Sequence, residues 1–564
     1  AYRRTVHATL GKRSRMERGR KLEKIGSLLE SMSLGIFLAI MALLVALCAF
    51  VTTLFSDMVN ESFVFRTWLC PQHLDQMLLG LVMAGAITLV LWFVRNVSER
   101  LDERVVTLVS LIVMIIISCC FVFNTPHARQ GFPDSSSLIA YASQHVQGDY
   151  QAFQPDAPFL QIDVPNAYSY FSLYPFQAGA FYYFVVIFRI FGAGNILAVE
   201  GMNIVANTLA FIGLVGASHM MLKTKCARLL LVVLLGLCLP FSLSTTFPYG
   251  NSMGFGLICL FLWAQVAALK SKSWIKIASL QLMSLVVLTF SLIIKPTFKL
   301  VALGACLCWF VVALKRARFR GLVCVLVTTL VANGLSGLPT SLLERRYNVS
   351  FGPGLPTVSW IEIGLTEAEG TTCRPGMWDA NAIQQFVSFD RDTRLVGEAA
   401  SRSVMSQLSH FVDHPSYALW FFATKLSEEW AEPSFQSVMY THIHYDADGN
   451  LTNTALLESV PVVAYMDGYQ LVVMAGAFIG SIEIFRRRKA GESDPFLLLA
   501  YCVGIGFACY VLWEAKPVYL MPFFVLLLPV ASYGLDLWLP SPWKKVVRAK
   551  HLRAAATMTE DDKE

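Results

Sequence analysis

Charge is what this sequence has least of. Asp, Glu, Lys and Arg make up only 15% of its 564 residues, against about a quarter in an ordinary soluble domain. That scarcity excludes a water-soluble globule as the home of most of the chain. Several chemical signatures are also missing. There is no Cys-x-x-Cys pair, no Walker-type phosphate loop, no dinucleotide glycine fingerprint and no recognisable Ser-His-Asp set. That absence fits chemistry on a donor that is already energised when it arrives. No internal repeat and no low-complexity linker occurs. The net charge of +6 comes from basic residues placed beside apolar segments, where they set membrane orientation. It does not argue for nucleic acid as a partner.

What is present is hydrophobic residue, 55% of the chain, with a mean hydropathy of +0.55. About 20 apolar residues at 1.5 Å rise cross the hydrocarbon of a bilayer, and a helix satisfies every backbone polar group within one segment. The expected fold class is an all-α polytopic membrane protein with about 12–14 transmembrane helices and two sizeable extracytoplasmic loops. Candidate spans fall at roughly 33–55, 77–95, 105–123, 174–192, 196–221, 229–247, 252–269, 275–293, 297–314, 321–338, 459–484, 495–513 and 517–538. The first is too long and too late for a cleaved signal peptide.

Basic loops at 95–104, 223–228, 270–276, 315–320 and 486–489, with the basic N-terminal arm and the tail after Trp543, mark the cytoplasmic side. Both termini then lie inside, which demands an even number of crossings, yet thirteen apolar segments are counted. The conflict falls on residues 174–221. Either one segment there does not cross fully, or three short helices occupy the space of two.

The expected organisation is a cytoplasmic arm (1–31), two additional N-terminal transmembrane helices (32–104) and a transmembrane core (105–338) with an outer loop at 124–173. An extracytoplasmic region (339–458), C-terminal spans (459–540) and a cytoplasmic tail (541–564) follow. Within the outer region, His414 to Trp430 is amphipathic and aromatic, as a helix lying in the membrane interface would be. Ten of thirteen Cys lie in apolar runs as small packing residues. Cys70 and Cys373 both fall in outer loops, and a disulfide between them is one possibility.

The outer loop holds the chemistry-bearing acids. Asp134, in Gly131-Phe132-Pro133-Asp134-Ser135, follows a membrane exit by about ten residues. A carboxylate costs little there and several kcal/mol in lipid. It could take a proton from a hydroxyl as a general base. It could equally be a solvated or helix-capping Asp, since Ser135, Ser136 and Ser137 follow. Gly148-Asp149 comes next, and Tyr174-Pro175-Phe176-Gln177-Ala178-Gly179 opens the following apolar run.

Taken in order with Gly354-Leu355-Pro356, Trp360-Ile361-Glu362-Ile363-Gly364, Lys425 to Trp430, and Trp513-Glu514-Ala515-Lys516-Pro517-Val518-Tyr519, this pattern resembles the GT-C superfamily of membrane glycosyltransferases. It is similar in particular to bacterial relatives of the protein O-mannosyltransferases, the glycosyltransferase family 39-like proteins. The resemblance spans most of residues 105–540. It implies a GT-C-like bundle in a bacterial plasma membrane, with the active site on the extracytoplasmic face. It implies inverting transfer of a sugar from a polyprenyl-phosphate donor to an acceptor hydroxyl on a glycan, protein or glycolipid. In that reading Asp134 is the base and Asp149 a second catalytic or positioning acid.

Lys295, Lys299 and Lys516 lie at outer membrane edges and would hold the donor phosphate as point charges; snorkelling to headgroups is the plain alternative. Tyr174, Gln177, Glu514, Tyr519, His442 and His444 would contact substrate. His442, His444 and Asp446 could bind a divalent cation on an extended segment, where alternate side chains share a face. The closer resemblance implies no metal and no cofactor, and polar loop residues are the plain reading. A lipid or glycan transporter without transferase chemistry is the competing function. Its signs would be symmetric halves and charges in mid-membrane helices, whereas here the acids gather in outer loops.

Overall fold

The computed structural model of the chain describes residues 2–57, 62–124, 133–155, 166–367, 375–438, 444–445, 451–452, 459–488 and 494–540. It is an all-α polytopic membrane protein, with strands confined to two short hairpins among the described residues.

The chain begins with one long helix, α1 (Tyr2–Phe50), then a hairpin of β1 (Val51–Asp57) and β2 (Ser62–Thr67). The first apolar run therefore stops being helical five residues earlier than the sequence suggests. Val51, Thr52 and Thr53 are β-branched and favour an extended backbone. Helices α2 (Leu74–Val97), α3 (Glu103–Asn124), α4 (Pro133–Gln147), α5 (Ala167–Leu173), α6 (Ala178–Phe191) and α7 (Ile196–Met221) follow. Next come α8 (Lys225–Leu237), α9 (Leu239–Leu243), α10 (Asn251–Lys270), α11 (Trp274–Ile294), α12 (Lys299–Arg316), α13 (Phe319–Leu335) and α14 (Leu338–Tyr347).

A third block holds α15 (Thr357–Leu365), α16 (Asn381–Ser388), α17 (Thr393–Asp413) and α18 (Pro415–Trp430), then β3 (His444–Tyr445) and β4 (Leu451–Thr452). The chain closes with α19 (Val460–Arg487), α20 (Asp494–Leu512), α21 (Pro517–Val525) and α22 (Leu528–Trp538). Proline sets several of these starts: Pro175, Pro240, Pro296, Pro415 and Pro517 each occupy a first helical turn. The missing N–H costs nothing there, because that turn has no intrahelical acceptor for it.

Ten described helices are long and apolar enough to cross a membrane, and three further pairs pass as broken spans. Helix-end contacts sort them. Arg95 at the end of α2 meets Asp536 at the end of α22 at 3.4 Å. Glu103 opening α3 accepts from both Arg228 Nε (2.7 Å) and Nη2 (2.9 Å), near the start of α8. Glu30 on α1 pairs with Lys315 ending α12 at 2.6 Å, and Asp494 opening α20 pairs with Arg316 at 2.9 Å. These ends define one basic end of the bundle, and the 339–438 block belongs to the other, polar end.

The conflict at residues 174–221 is then resolved. Segments 167–173 and 175–191 meet at a 111° bend. Gly179 at the start of α6 abuts Ile293, where α11 reaches the polar end. Arg189, in the last turn of α6, reaches His145 of α4, which bonds Tyr347 of α14. Both ends of α6 thus lie at the polar end, and α6 does not cross. The two remaining broken pairs, 225–246 and 517–538, run from end to end, so the described residues make twelve crossings, an even number.

Two apolar cores hold the assembly. The larger fills the crossing bundle around Trp309, Tyr469 and Phe524. The second sits at the polar end, where Phe153, Tyr170, Phe171, Phe181 and Tyr347 join α4–α6 to α14–α16. Phe153 stacks on Tyr347 with ring centres 4.2 Å apart. Such aromatic packing buries large areas with fixed geometry, and it fixes α4, which carries Asp134, against the bundle.

Candidate active site at the polar end

Asp134 is the second residue of α4, a half-buried position whose carboxylate is enclosed by side chains. Tyr170 of α5 donates its hydroxyl to Asp134 Oδ1 at 3.2 Å. Burial raises the pKa of this carboxyl. Lys516 and Lys295 pull it back down, Glu514 pushes it up, and the Tyr170 bond lowers it again. The strongest charged influences on Asp134 are therefore two lysines and an acid drawn from segments about 160 and 380 residues further along the chain.

Lys295 ends α11 and lies buried between two rings. Its Nζ is 4.2 Å from the centre of Tyr249 and 5.1 Å from that of Tyr519. Cation–π contact of this kind holds an ammonium where a carboxylate is not in direct contact. Burial pushes its pKa down to about 8, while Asp134 and Glu514 oppose the shift and Lys516 adds to it. Lys516, equally buried, pairs with Glu514 at 3.1 Å. Gln177 donates to the hydroxyl of Tyr249, and Tyr174 packs its ring 5.3 Å from that of Tyr170. The segment leading into the turn Tyr249-Gly250-Asn251 is held by Asn203, whose amide donates to the Phe247 and Thr245 carbonyls at 2.8 and 3.1 Å.

The patches that were scattered along the sequence touch one another here. Leu355 N–H donates to the Leu173 carbonyl at 3.0 Å. Gly354 is left-handed, φ +76°, and an added Cβ would collide with the ring of Pro175, so only glycine fits that approach. Gly364 has the same role on α15: a Cβ there would collide with the Leu512 carbonyl oxygen. Lys425, fully buried on α18, donates to the Gly364 carbonyl at 2.5 Å and to the Trp513 carbonyl at 2.6 Å. Ala515 N–H donates to the Gly376 carbonyl at 2.7 Å. One ammonium and one backbone bond thus fix the strap 513–516 that presents Glu514 and Lys516. Burial brings the pKa of Lys425 down to about 8, and Glu429, one turn further on, counters that shift.

Of the residues singled out from the sequence, Asp134, Lys295, Lys516, Glu514, Tyr174, Gln177 and Tyr519 are gathered in this cluster. Asp149 is not. It is exposed at the opposite end of α4, about 22 Å away at 1.5 Å per residue, and accepts from Gln151 N–H at 3.2 Å to cap a short turn. Lys299 is exposed in the first turn of α12, and no contact among the described residues joins it to the cluster. His442, Asp446 and Cys373 lie outside the described residues, and Cys70 is a free thiol. His444 is described only as backbone, paired with Thr452. The α18 helix exposes Leu419 and Trp420, as an interfacial helix would, but its last turns, including Lys425, Glu429 and Trp430, are buried in the bundle. Sequence reasoning missed Tyr170. Its one sequence sign was an aromatic cluster, Tyr168-Ser169-Tyr170-Phe171, between two polar stretches.

No known family profile matches the sequence, and no curated protein does. Among solved structures, the chain is similar to the archaeal oligosaccharyltransferase AglB from Archaeoglobus fulgidus in complex with an inhibitory peptide and a dolichol-phosphate. The TM-score is 0.39 at 13% identity, covering 81% of this chain and 52% of that one. An Archaeoglobus fulgidus oligosaccharyltransferase tethered to an acceptor peptide matches with a TM-score of 0.41 at 11% identity, covering 77% and 49%. The apo form matches at 0.37 and 14% identity, covering 80% and 52%. The chain spans about half the length of these structures. Likeness at this level assigns no chemistry.

Proposed function

We propose that this protein is an inverting membrane glycosyltransferase of GT-C type, moving a sugar from a polyprenyl-phosphate donor to an acceptor hydroxyl at the extracytoplasmic face. The observation that carries this reading is the convergence of Asp134, Lys295, Glu514 and Lys516 at the end of the bundle away from the basic loops. Basic loops face the cytoplasm, so the cluster faces outward. Two of the four, Asp134 and Lys295, are shifted by burial, and shifted titratable groups gathered around one point are the usual mark of a reacting centre.

The roles follow from the chemistry. The acceptor hydroxyl gives its proton to the Asp134 carboxylate as its oxygen attacks the anomeric carbon. The bond from that carbon to the phosphate oxygen breaks on the opposite face, and its electron pair leaves with the lipid phosphate. Lys295 and Lys516 stabilise the charge that develops there. Burial suits each group to its task. It makes Asp134 a stronger base than a solvated aspartate, and it leaves the lysines poorly solvated, so that an arriving phosphate is a better partner than water. Tyr170 orients Asp134 through its hydrogen bond, and Glu514 holds Lys516 in place. Lys299 and Asp149 have no role in this scheme.

The test uses the purified full chain in liposomes, supplied with synthetic polyprenyl-phosphate sugars and cell-envelope acceptors. Asp134→Asn is expected to abolish transfer while the protein keeps its melting temperature. Normal transfer by that variant would remove Asp134 from the mechanism.

A further inference from the structure

The strap 513–516 and the segment 173–175 bring more than charge to the site. They also bring tryptophan. Trp360 on α15 packs against Tyr174 with ring centres 6.1 Å apart, and Tyr174 in turn packs on Tyr170, the residue that bonds Asp134. Trp513, immediately before Glu514, lies parallel to Trp360 within 8° at 6.3 Å. Trp378 extends the row at 6.2 Å from Trp360. The row is held from behind. Glu362, two residues after Trp360, is buried and accepts from Gln385 (3.1 Å) and Asn381 (3.5 Å) of α16, which locks the segment carrying Trp378 onto α15.

All three indoles remain half-exposed. None of their ring N–H groups has a partner among the described residues, and none is sealed from solvent. Buried Trp normally satisfies its N–H inside the protein, and the contrast is at hand: the fully buried Trp309 donates to Gln265 at 2.9 Å. Three stiff, flat, partly wet rings in a row, each with an open donor and starting beside the reacting carboxylate, form a surface with a stated chemistry. Its faces take the C–H side of a pyranose ring, and its N–H edges take hydroxyls. Rigid aromatic faces give such contact at small entropic cost. No charged side chain belongs to the row, so it favours a neutral ligand over an ionic one.

We propose that Trp360, Trp378 and Trp513 form an acceptor subsite for a carbohydrate chain, so that the hydroxyl presented to Asp134 belongs to a glycan. This rests on the glycosyltransferase reading and narrows it to one acceptor class.

Binding can be measured without turnover, which separates the two. The full-length protein in detergent is titrated with neutral oligosaccharides (mannotriose, maltotriose, chitotriose) and with a Ser/Thr-rich peptide, following tryptophan fluorescence and calorimetry. At least one oligosaccharide is expected to bind, with affinity reduced tenfold or more in both Trp360→Ala and Trp378→Ala and unchanged within twofold in Asp149→Asn, which lies outside the cluster. Trp378→Phe, which keeps a flat ring, is expected to retain most of it. The proposal is overturned if no oligosaccharide binds, if the alanine variants bind as the parent does, or if the peptide alone binds. It is overturned equally if brominated lipids in proteoliposomes quench these indoles, which would make them headgroup anchors. Sugar binding with no transferase activity from any donor would leave this subsite standing and remove the enzyme reading.

Discussion

The two ends of the bundle treat buried charge in opposite ways. At the basic end each charge lies in direct contact with an opposite one: Arg95 with Asp536, Glu103 with two nitrogens of Arg228, Glu30 with Lys315, and Asp494 with Arg316 and Lys315. At the polar end four charges are gathered around one point. Glu514 contacts Lys516 there, while Lys295 rests on two aromatic rings and Asp134 on a tyrosine hydroxyl. A matched pair recovers much of the desolvation cost of its charges and fastens helices together. A gathered set that is not matched pair by pair keeps that cost, which is reasonable where a substrate supplies a further partner. On the proposed reading, the difference separates the charges that fasten the scaffold from those that serve the reaction.

Mutations that break this comparison should give opposite signs in stability and activity. The largest effect is expected from Asp134→Asn: a loss of transfer by a factor of about 10² to 10⁴, the usual share of a general base, measured as initial rate per folded protein. Its melting temperature at pH 7 should hold or rise. Burial raises the folded pKa of Asp134, so its ionisation destabilises the fold above that pKa, and an amide removes the cost.

Lys295→Met should follow the same logic with a second readout. Transfer falls by about 10² or more as charge stabilisation at the phosphate is lost. Stability at pH 7, however, should increase. The folded pKa near 8 lies below the ordinary lysine value of 10.5, so the native state sheds a proton the unfolded chain keeps. The parent therefore gains stability as pH rises from about 8 towards 10, by an amount on the order of 3 kcal/mol. The Met variant should lack that rise in chemical unfolding curves taken across the window. The pH–rate profile of the parent should fall on the acid side as Asp134 protonates and on the basic side near pH 8 as Lys295 deprotonates.

Arg95→Met, at the basic end, should do the reverse. Leaving Asp536 buried and unpaired costs about 3–5 kcal/mol, read as a lower unfolding midpoint, while kcat per folded molecule stays within twofold. The double variant Arg95→Met/Asp536→Leu should recover most of the loss. Lys425→Met sharpens the boundary between the two classes. It touches no proposed substrate, but it releases the Gly364 and Trp513 carbonyls, so donor KM should rise several-fold with a smaller change in kcat. The smallest effect belongs to Asp149→Asn, within twofold in rate and about 0.5 kcal/mol in stability, as for other surface positions.

Much of this was legible in the chain. Spans longer than 18 apolar residues show themselves, because lipid leaves a helix no other way to satisfy its backbone. Asp134, Lys295 and Lys516 stood out as charges at the lip of apolar runs, and their common end followed from the positions of basic loops. Asp149 stood out for the same reason and proved to cap an exposed turn, since a glycine-acid pair marks turns as readily as sites. The fate of 174–192 was not legible. Its composition is that of a span, and only the 111° bend at Tyr174-Pro175 and the contacts of both its ends at the polar face keep it from crossing. Tyr170 and the tryptophan row were hidden for another reason: an aromatic residue reads as core until its neighbours are known.

Sequence by itself determined that the chain lives in a membrane, how many apolar segments it has and which ends carry positive charge, because those properties depend on local composition against a fixed bilayer thickness. Tertiary structure alone decided that α4, α11 and the strap 513–516 converge, which of the two acids Asp134 and Asp149 joins the lysines, and which indoles stay half-exposed. Those outcomes depend on close approach between segments hundreds of residues apart. That approach is set by the small volume of Gly354 and Gly364 and by one buried ammonium, Lys425, whose bonds no local pattern encodes.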